Sequence, residues 1–390
     1  EKDVEAAARE RTAEKKERKN TSVKGGKSTR YFNNKSGGLK KRHERKTYST
    51  KTTKKKVDKK CEEATVEWTE SEIPCVDVST NLKALLARAG KNPDEHIDSV
   101  CRSALPKNLS AIIASLQTPV DFQRVFKIGN YPGKIFYTVG IHPLSSQQYD
   151  CGMLDDLKLG LKRQDVVGCG PIGIDYSTRC TIDPELQLEC FVAQVKLAVS
   201  LSKPLVIYMR PELRYTEGNK RALKDVLAVL QEHVPTDYLI ALHAYAGSAE
   251  AGVIMLKAFP NLYISFSGII TFAKAKHLRE LAFDIPTNRF LLCSDGPWTP
   301  VSQVSITAKD DLSSEPSHIM FIADAIAKQK NLSLDEILIC ALDNSCRFFD
   351  TEFATSPVVS KTAAPVAAKG NEEENDTAAS PRSSNPAPCS

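Results

Sequence analysis

Short apolar runs alternate with longer amphipathic stretches along the chain from about residue 73 to about residue 353. The short runs are rich in β-branched and other apolar side chains, and their lengths are typical of buried strands. They predict eight strands, at residues 75–79, 109–116, 135–140, 166–170, 205–209, 238–242, 262–265 and 289–293.

The amphipathic stretches between these runs predict helices. The clearest covers residues 183–202, where apolar side chains recur at intervals of three and four residues behind Pro184 in the first turn. Two more, at residues 314–330 and 333–349, follow the last strand. Eight strands alternating with helices over about 280 residues favour an α/β fold of the (β/α)8 TIM-barrel type. A doubly wound open sheet is the alternative.

The net charge of +5 is distributed unevenly along the chain. Residues 1–60 hold 22 basic and 8 acidic side chains, whereas the remainder holds 31 basic and 40 acidic ones. A segment with so many like charges and so few apolar residues cannot bury enough surface to fold alone. We therefore predict a basic, disordered or partner-bound extension at residues 1–70, a barrel at residues 71–353, and a disordered low-complexity tail at residues 354–390.

Composition also bears on the surroundings of the protein. The longest apolar runs are shorter than the roughly 18 residues that a membrane-spanning helix needs, so no membrane segment is predicted. Eleven cysteines without a CxxC pair predict reduced thiols rather than a disulfide framework. We expect an intracellular, reducing compartment, and nucleus, cytoplasm and mitochondrial matrix all remain open.

Polar residues follow the predicted strands at the positions where a barrel carries its chemistry. In a (β/α)8 barrel the functional groups lie at the carboxyl ends of the strands. Reading those positions selects one set of polar side chains, namely Asp77, His142, Asp175, Tyr208, Arg210, His243 and Asp295.

Four short motifs carry a resemblance to a known family. They read GIHP at residues 140–143, GPIGID at 170–175, LHAYAG at 242–247 and CSDGPW at 293–298. In this order the chain resembles the TatD family of metal-dependent deoxyribonucleases over about residues 76–349. FVAQ at 191–194, KPLVI at 203–207 and SEPSH at 314–318 extend the likeness. The resemblance implies a barrel of the amidohydrolase-like kind and one or two divalent metals at its mouth.

Two of the four metal ligands that the resemblance implies are replaced. Pro171 stands where the family has a Glu, and Tyr208 stands where it has a His, while His243 and Asp295 remain. Proline has no side-chain donor or acceptor, and a phenol is a poorer ligand at neutral pH than an imidazole. A reduced site of His243 and Asp295, completed by His142, Asp77 or Asp175, would take Mg²⁺, Mn²⁺ or Zn²⁺. Otherwise no cofactor is expected.

Other residues at the mouth are candidates for binding phosphate, and each has a structural alternative. His142 lines the groove or forms a satisfied turn; Asp175 lines the groove or caps the next helix. Arg210 receives a phosphate or pairs with a barrel carboxylate. His318 lines the groove or packs at a helix start. The structural alternative for His243 is a hydrogen bond in the barrel mouth, and the structural alternative for Asp295 is a contact that holds its loop in place.

Dense cationic runs in the amino-terminal extension are typical of nucleic-acid binding. They comprise Lys40, Lys41, Arg42, Arg45 and Lys46 in one run and Lys54, Lys55 and Lys56 in the other. Polycations bind phosphate backbones by releasing counterions. The predicted partner is RNA or DNA, and a large ribonucleoprotein is one setting in which the chain would meet it. A nuclear localisation signal or a solvated spacer has the same composition.

These observations favour a TatD-like homologue that is catalytically impaired or inactive. Such a pseudoenzyme would act as a scaffold associated with nucleic acid or a ribonucleoprotein. The alternative is an active metal-dependent hydrolase, a deoxyribonuclease or exonuclease, that uses the reduced metal site.

Overall fold

The computed structural model describes residues 71–88, 90, 108–118, 121, 135–211, 220–305 and 313–353. The predicted basic extension and the predicted tail lie outside the described residues. The division of the chain at residues 70 and 353 therefore stays a prediction.

Eight parallel strands form one sheet in which neighbours in sequence are neighbours in space. The sheet closes into a barrel, and hydrogen bonds join the ends of its first and last strands. The Asp295 amide donates to the Ser79 carbonyl at 2.9 Å, and the Asn81 amide donates to the Gly296 carbonyl at 2.8 Å. The predicted barrel is confirmed, and the doubly wound open sheet is excluded. The strands are β1 (Cys75–Thr80), β2 (Leu109–Leu116), β3 (Ile135–Val139), β4 (Val166–Asp175), β5 (Leu205–Arg210), β6 (Ile240–Leu242), β7 (Leu262–Phe266) and β8 (Phe290–Leu292).

Helices connect the strands on the outside of the barrel. In the part of the chain that the structure describes they are α1 (Leu82–Arg88), α2 (Cys151–Leu161), α3 (Pro184–Ser200), α4 (Arg221–His233), α5 (Ala249–Ala258), α6 (Lys276–Asp284), α7 (Ser302–Ser305), α8 (Ile319–Lys330) and α9 (Leu334–Phe349). Short 3-10 helices lie at Pro143–Gln148, Gly268–Thr271, Thr287–Arg289 and Pro316–His318.

The helix boundaries follow from capping residues in the sequence. Asp183 precedes α3 and accepts a hydrogen bond from the Glu185 amide at 3.0 Å, so it satisfies one of the free donors of the first turn. Ser333 and Glu336 form a reciprocal capping box at the start of α9. The helix predicted at residues 314–330 begins instead as the 3-10 helix Pro316–His318 and continues as α8.

Two large hydrophobic clusters and a small third one, around Ile141, Met153 and Cys190, hold the described part of the barrel together. The first large cluster packs outward-facing strand residues such as Ile112, Ile172 and Ile207 against the helices. The second large cluster takes the alternate strand positions, for example Val76 and Ile113, and it packs against aromatic residues at the end of α9 and just after it, which are Phe348, Phe349 and Phe353. Strand residues that alternate between two buried faces give near-continuous apolar runs, which is why the strands could be recognised from sequence.

The largest departure from the prediction is in β4, which continues to Asp175 rather than ending at Gly170. Cys169 is level with Leu205 of β5 but Ile172 is level with Ile207, so β4 contains one extra residue at Gly170–Pro171. Gly170 has a φ of +150°, and a Cβ there would lie 2.3 Å from the Val206 carbonyl oxygen. Pro171 therefore lies inside β4 at a bulge, where glycine and proline are tolerated, and not after the strand.

Two further expectations concern cysteines and membranes. The cysteines that can be assessed in the described residues are free, and several are buried, among them Cys75, Cys169 and Cys293. None of the helices in the described residues combines the length and the apolar character that a bilayer-spanning helix needs.

Candidate functional site

The selected polar residues meet at the carboxyl ends of the strands, which we call the barrel mouth. Asp175 is the last residue of β4, and Tyr208 and Arg210 belong to the last half of β5. His243 directly follows β6, and Asp295 lies in the loop after β8. Tyr208 lies within β5, as the prediction of a strand at residues 205–209 implied. Asp175 was predicted to follow its strand and is instead the last residue of β4, so its backbone is held in the sheet.

His243 and Asp295 contact each other. His243 Nε2 lies 3.3 Å from Asp295 Oδ1, and the two side chains are 3% and 13% exposed. The backbones are fixed as well, since the His243 amide donates to the Ile207 carbonyl at 2.8 Å. His243 Nδ1 is buried and has no hydrogen-bond partner among the described residues. The two remaining family positions thus form a pair in which one imidazole nitrogen is left without a partner.

Tyr208 occupies the space between the histidines of the mouth. Its ring centroid lies 4.5 Å from that of His142 and 6.1 Å from that of His243. Its hydroxyl donates to Asp175 Oδ2 at 3.3 Å. Burial raises the pKa of the Tyr208 phenol well above its usual range, so the group is a neutral hydrogen-bond donor at physiological pH.

His142 is a neutral imidazole with a defined tautomer. Its Nδ1 accepts a hydrogen bond from the Leu144 amide at 3.2 Å, which assigns the ring proton to Nε2. Burial, with the nearby charges of His243 and Arg210, lowers the pKa of His142 to about 3. His142 is therefore a satisfied turn histidine through Nδ1, and a role of its Nε2 proton in the groove stays a prediction.

Asp77 is a structural carboxylate, although the sequence left it open as a third ligand. It is fully buried, and it accepts hydrogen bonds from the Ser294 amide at 2.8 Å, from the Ser79 amide at 3.2 Å and from the Ser294 hydroxyl. Burial raises the pKa of Asp77 to about 7, against the opposing effect of these hydrogen bonds, while the charge of Asp295 adds to the rise. Asp77 ties β1 to the loop that carries Asp295.

Two buried glutamines on α3 position the mouth, and sequence analysis did not select Gln187. Gln187 accepts from the Asp175 amide at 2.8 Å and donates to the Asp175 carbonyl at 3.1 Å. Gln194 makes the same pair of bonds with Ile141, at 2.6 and 3.1 Å. The signal was present, because the two glutamines are seven residues apart on the apolar face of a helix, where an unsatisfied amide would be costly.

The remaining candidates are placed by their contacts. Among the described residues Arg210 forms no ion pair with a carboxylate, and its Cζ lies 5.4 Å from the centroid of the Tyr208 ring. Asp175 does not cap the next helix, since Asp183 does so; Asp175 instead accepts from the Ser177 amide at 2.8 Å. His318 is buried in the capping box with Glu315, whose amide donates to His318 Nδ1 at 3.3 Å, so its contacts are those of a helix start.

The donor set does not fit the metal centre that the family implies. Within the described ranges, no group of three or more His, Cys, Asp or Glu side chains is arranged to hold a metal ion. The Asp77 carboxylate already accepts hydrogen bonds from Ser79 and Ser294. His142 Nδ1 accepts from the Leu144 amide, so Nε2 carries the ring proton and cannot bind a metal. A catalytic zinc typically has three protein ligands, and His243 with Asp295 supply two.

These features define a (β/α)8 barrel with a polar mouth. The family profile described as TatD related DNase matches residues 76–350. The chain therefore belongs to the TatD-related DNase family.

Curated relatives include the human 3'-5' RNA nuclease TATDN2, which is 30% identical over 210 residues; the match covers 54% of this chain and 26% of that protein. The chain thus spans about a quarter of the length of this relative. A protein of Escherichia coli K12 named metal-dependent hydrolase YcfH is 28% identical over 258 residues, 65% of this chain and 88% of that one.

Solved structures show the same fold. The TatD-family hydrolase of Entamoeba histolytica superposes with a TM-score of 0.59 at 22% identity, covering 72% of this chain and 99% of that one. The TatD homologue YjjV of E. coli K12 gives 0.58 at 20% identity, covering 71% and 98%.

The depressed pKa of His142 predicts a specific loss of stability in acid. The folded state holds His142 neutral down to about pH 3, whereas an unfolded histidine takes up a proton near 6.5. Unfolding is therefore favoured as the pH falls between these values. In His142→Asn, a non-titrating side chain can still accept from the Leu144 amide. Between pH 7 and pH 4, wild type should lose about 3 kcal/mol more unfolding free energy than the variant, measured by urea titration. Parallel pH profiles would contradict the assignment.

Proposed function

We propose that this chain is a TatD-family protein that binds nucleic acid at the barrel mouth without a metal centre and does not hydrolyse phosphodiesters. The observation that carries the proposal is the position of Tyr208. Its ring lies between His142 and His243, where the family would place a metal-binding imidazole, and its hydroxyl bonds to Asp175.

Hydrolysis by the family's route needs a water molecule activated by a metal. A bound cation lowers the pKa of water toward neutrality, and without one the mouth has no equivalent group. Pro171 supplies no ligand, the Tyr208 phenol stays protonated, and His243 is turned toward Asp295. The missing ligands therefore support loss of the reaction.

Two groups at the mouth can donate to phosphate oxygens, and they lie beside the carboxylates of Asp175 and Asp295. They are the Arg210 guanidinium and the proton on His142 Nε2, whereas the Tyr208 proton is donated to Asp175. A guanidinium binds phosphate bidentately and stays charged at every physiological pH. We propose that Arg210 binds a backbone phosphate while His142 and Tyr208 line the groove.

The second candidate is an active metal-dependent hydrolase that uses a reduced site. Two observations favour it: His243 and Asp295 are both retained and adjacent, and His243 Nδ1 is a buried nitrogen without a partner in the described residues. Relatives such as YcfH are named metal-dependent hydrolases, and TATDN2 is named an RNA nuclease.

Nuclease assays of the full chain distinguish the two candidates. Wild type and Asp295→Ala are compared on single-stranded DNA and RNA with Mg²⁺, Mn²⁺ or Zn²⁺. We expect the two proteins to be equally inactive. Asp343→Ala is the matched control, because Asp343 lies on α9 and, in the part of the chain that the structure describes, pairs with Arg347 one turn further along that helix. Cleavage that is present in wild type and Asp343→Ala but lost in Asp295→Ala would establish the hydrolase.

The basic segment is proposed as a second contact to nucleic acid, in the setting of a ribonucleoprotein or of free RNA or DNA. The support is its sequence alone, since Lys40, Lys41, Arg42, Arg45, Lys46 and Lys54–Lys56 lie outside the described residues. Like charges at this density attract phosphate without base preference.

Salt dependence tests the basic segment. Replacing Lys54, Lys55 and Lys56 by Ala together should reduce the slope of log affinity against log salt for single strands by about 2, since each phosphate contact contributes about 0.7. Lys276→Ala with Lys328→Ala is the control, because these lysines lie in intrahelical pairs on α6 and α8. An unchanged slope in the triple variant would show that this run does not contact phosphate.

A further inference from the structure

One flank of α9 carries a row of apolar side chains that the barrel covers only in part. Ile339, Leu342 and Cys346 follow one another at intervals of three and four residues, so they lie in line along the helix. Ile339 is 53% exposed, and Leu342 and Cys346 are partly buried against the second large hydrophobic cluster. We call these three residues the α9 stripe. It continues the edge of the core into an exposed apolar surface.

The chain enters the barrel at the start of the α9 stripe. Ser71, the first described residue, donates its hydroxyl to Asp335 Oδ1 at 2.6 Å. Asp335 lies in the first turn of α9, four residues before Ile339, so it belongs to the same row. On the barrel side, the Ile73 amide donates to the Ser71 hydroxyl at 3.1 Å, and β1 begins at Cys75. The residues that precede Ser71 therefore start beside the stripe.

These preceding residues have the pattern of an extended segment with one apolar side. They read ATVEWT at residues 64–69, where Ala, Val and Trp alternate with Thr, Glu and Thr. Alternation with β-branched and aromatic side chains is typical of a half-buried extended segment. The barrel is closed between β1 and β8, so the sheet offers no free edge for a further strand. A helix flank is therefore the surface that fits this segment.

We propose that residues 64–68 of this chain lie along α9, with the Val66 and Trp68 side chains packed on the α9 stripe. These residues lie outside the described part of the chain. They also precede residues 76–350, which match the family profile, so family membership does not imply the contact. The proposal places the start of the folded unit at about residue 64, before the limit of 71 that the sequence predicts. It does not depend on what the barrel mouth binds.

Chain length and tethering favour this segment as the occupant. An extended chain advances about 3.3 Å per residue, so the stretch from Ser71 back to Ala64 spans up to about 23 Å. An α-helix rises about 1.5 Å per residue, so Asp335 and Cys346 are about 17 Å apart along the axis. The segment is thus long enough to cover the whole stripe. A short tether also gives it a local concentration in about the millimolar range, which favours it over a second copy of the chain.

Fluorescence of the full chain tests the proposal. The protein has two tryptophans, so Trp298→Phe leaves Trp68 as the only indole. We expect the folded protein to emit at a shorter wavelength than the same protein in urea, and to have a lower quenching constant with acrylamide. Emission and quenching equal to those of the unfolded chain would overturn the proposal.

Substitution of the stripe locates the contact. Ile339→Lys, made in the Trp298→Phe protein, places a charge in the proposed contact, so the Trp68 quenching constant should rise to that of the unfolded chain. The barrel should stay folded by circular dichroism, because Ile339 is exposed. Leu159→Lys is the matched control, since Leu159 is 63% exposed on α2, and it should leave Trp68 protected. Protection that persists in Ile339→Lys would show that Trp68 is buried elsewhere.

Thiol labelling tests the same contact without a change in the barrel. Cys346 belongs to the stripe, whereas Cys340 lies about 120° away around α9, and both thiols are free. Replacing Val66 and Trp68 by Ala should speed alkylation of Cys346 by iodoacetamide several-fold and leave Cys340 unchanged, measured by mass spectrometry of the full chain. An unchanged rate at Cys346 would contradict the proposal.

Dilution distinguishes the chain's own segment from that of a second copy. A contact within one chain gives the same Trp68 quenching constant at every protein concentration, whereas a contact between two copies weakens on dilution. We expect no change. A quenching constant that rises as the protein is diluted would assign the stripe to a second copy and overturn the proposal.

Discussion

The buried Asp77 carboxylate is the interaction on which the mouth depends. It lies in β1, yet both of its strongest partners belong to Ser294 in the loop after β8. Because β1 and β8 are the first and last strands, this contact helps to close the barrel and places the next residue, Asp295, beside His243. A carboxylate this deeply buried is costly unless its oxygens are satisfied, so it enforces the geometry of the loop. Trp298 lies at the end of the same turn, because its amide donates to the Asp295 carbonyl, and Asp77 therefore helps to fix its backbone as well.

Buried hydrogen bonds from α3 position the backbone of the mouth independently of its functional groups. Gln187 and Gln194 hold the backbones of Asp175 and Ile141, and these bonds do not depend on a cation. Between them lie a phenol, Tyr208, and a proline, Pro171, at positions where the family resemblance implies an imidazole and a carboxylate. In the resulting mouth, the Arg210 guanidinium and the proton on His142 Nε2 lie beside the carboxylates of Asp175 and Asp295.

Much of the fold was available from the sequence, and the reasons are local. β2 was predicted at its observed limits because Leu109–Leu116 is buried on both faces and reads as one apolar run. The start of α3 followed from Asp183 and Pro184, whereas the helix ends at Ser200, two residues before the predicted limit. The predicted β4 ended too early, because Gly170 and Pro171 are typical of strand ends. In the structure these two residues form a bulge inside β4, and a glycine is required at position 170 because its backbone contacts Val206. The positions of Tyr208 between two histidines and of His318 in a cap depend on tertiary packing, which spacing along the chain does not reveal.

Metal binding is the property that tests this account most directly. Mn²⁺ is suited to the measurement because it favours oxygen and imidazole ligands over the cysteines that the chain also contains. Titration calorimetry of wild type should give no saturable site that Asp295→Ala removes. Pro171→Glu with Tyr208→His, which restores the two missing ligands, should bind Mn²⁺ stoichiometrically in the same experiment. Stoichiometric Mn²⁺ binding by wild type that is lost in Asp295→Ala would contradict the account.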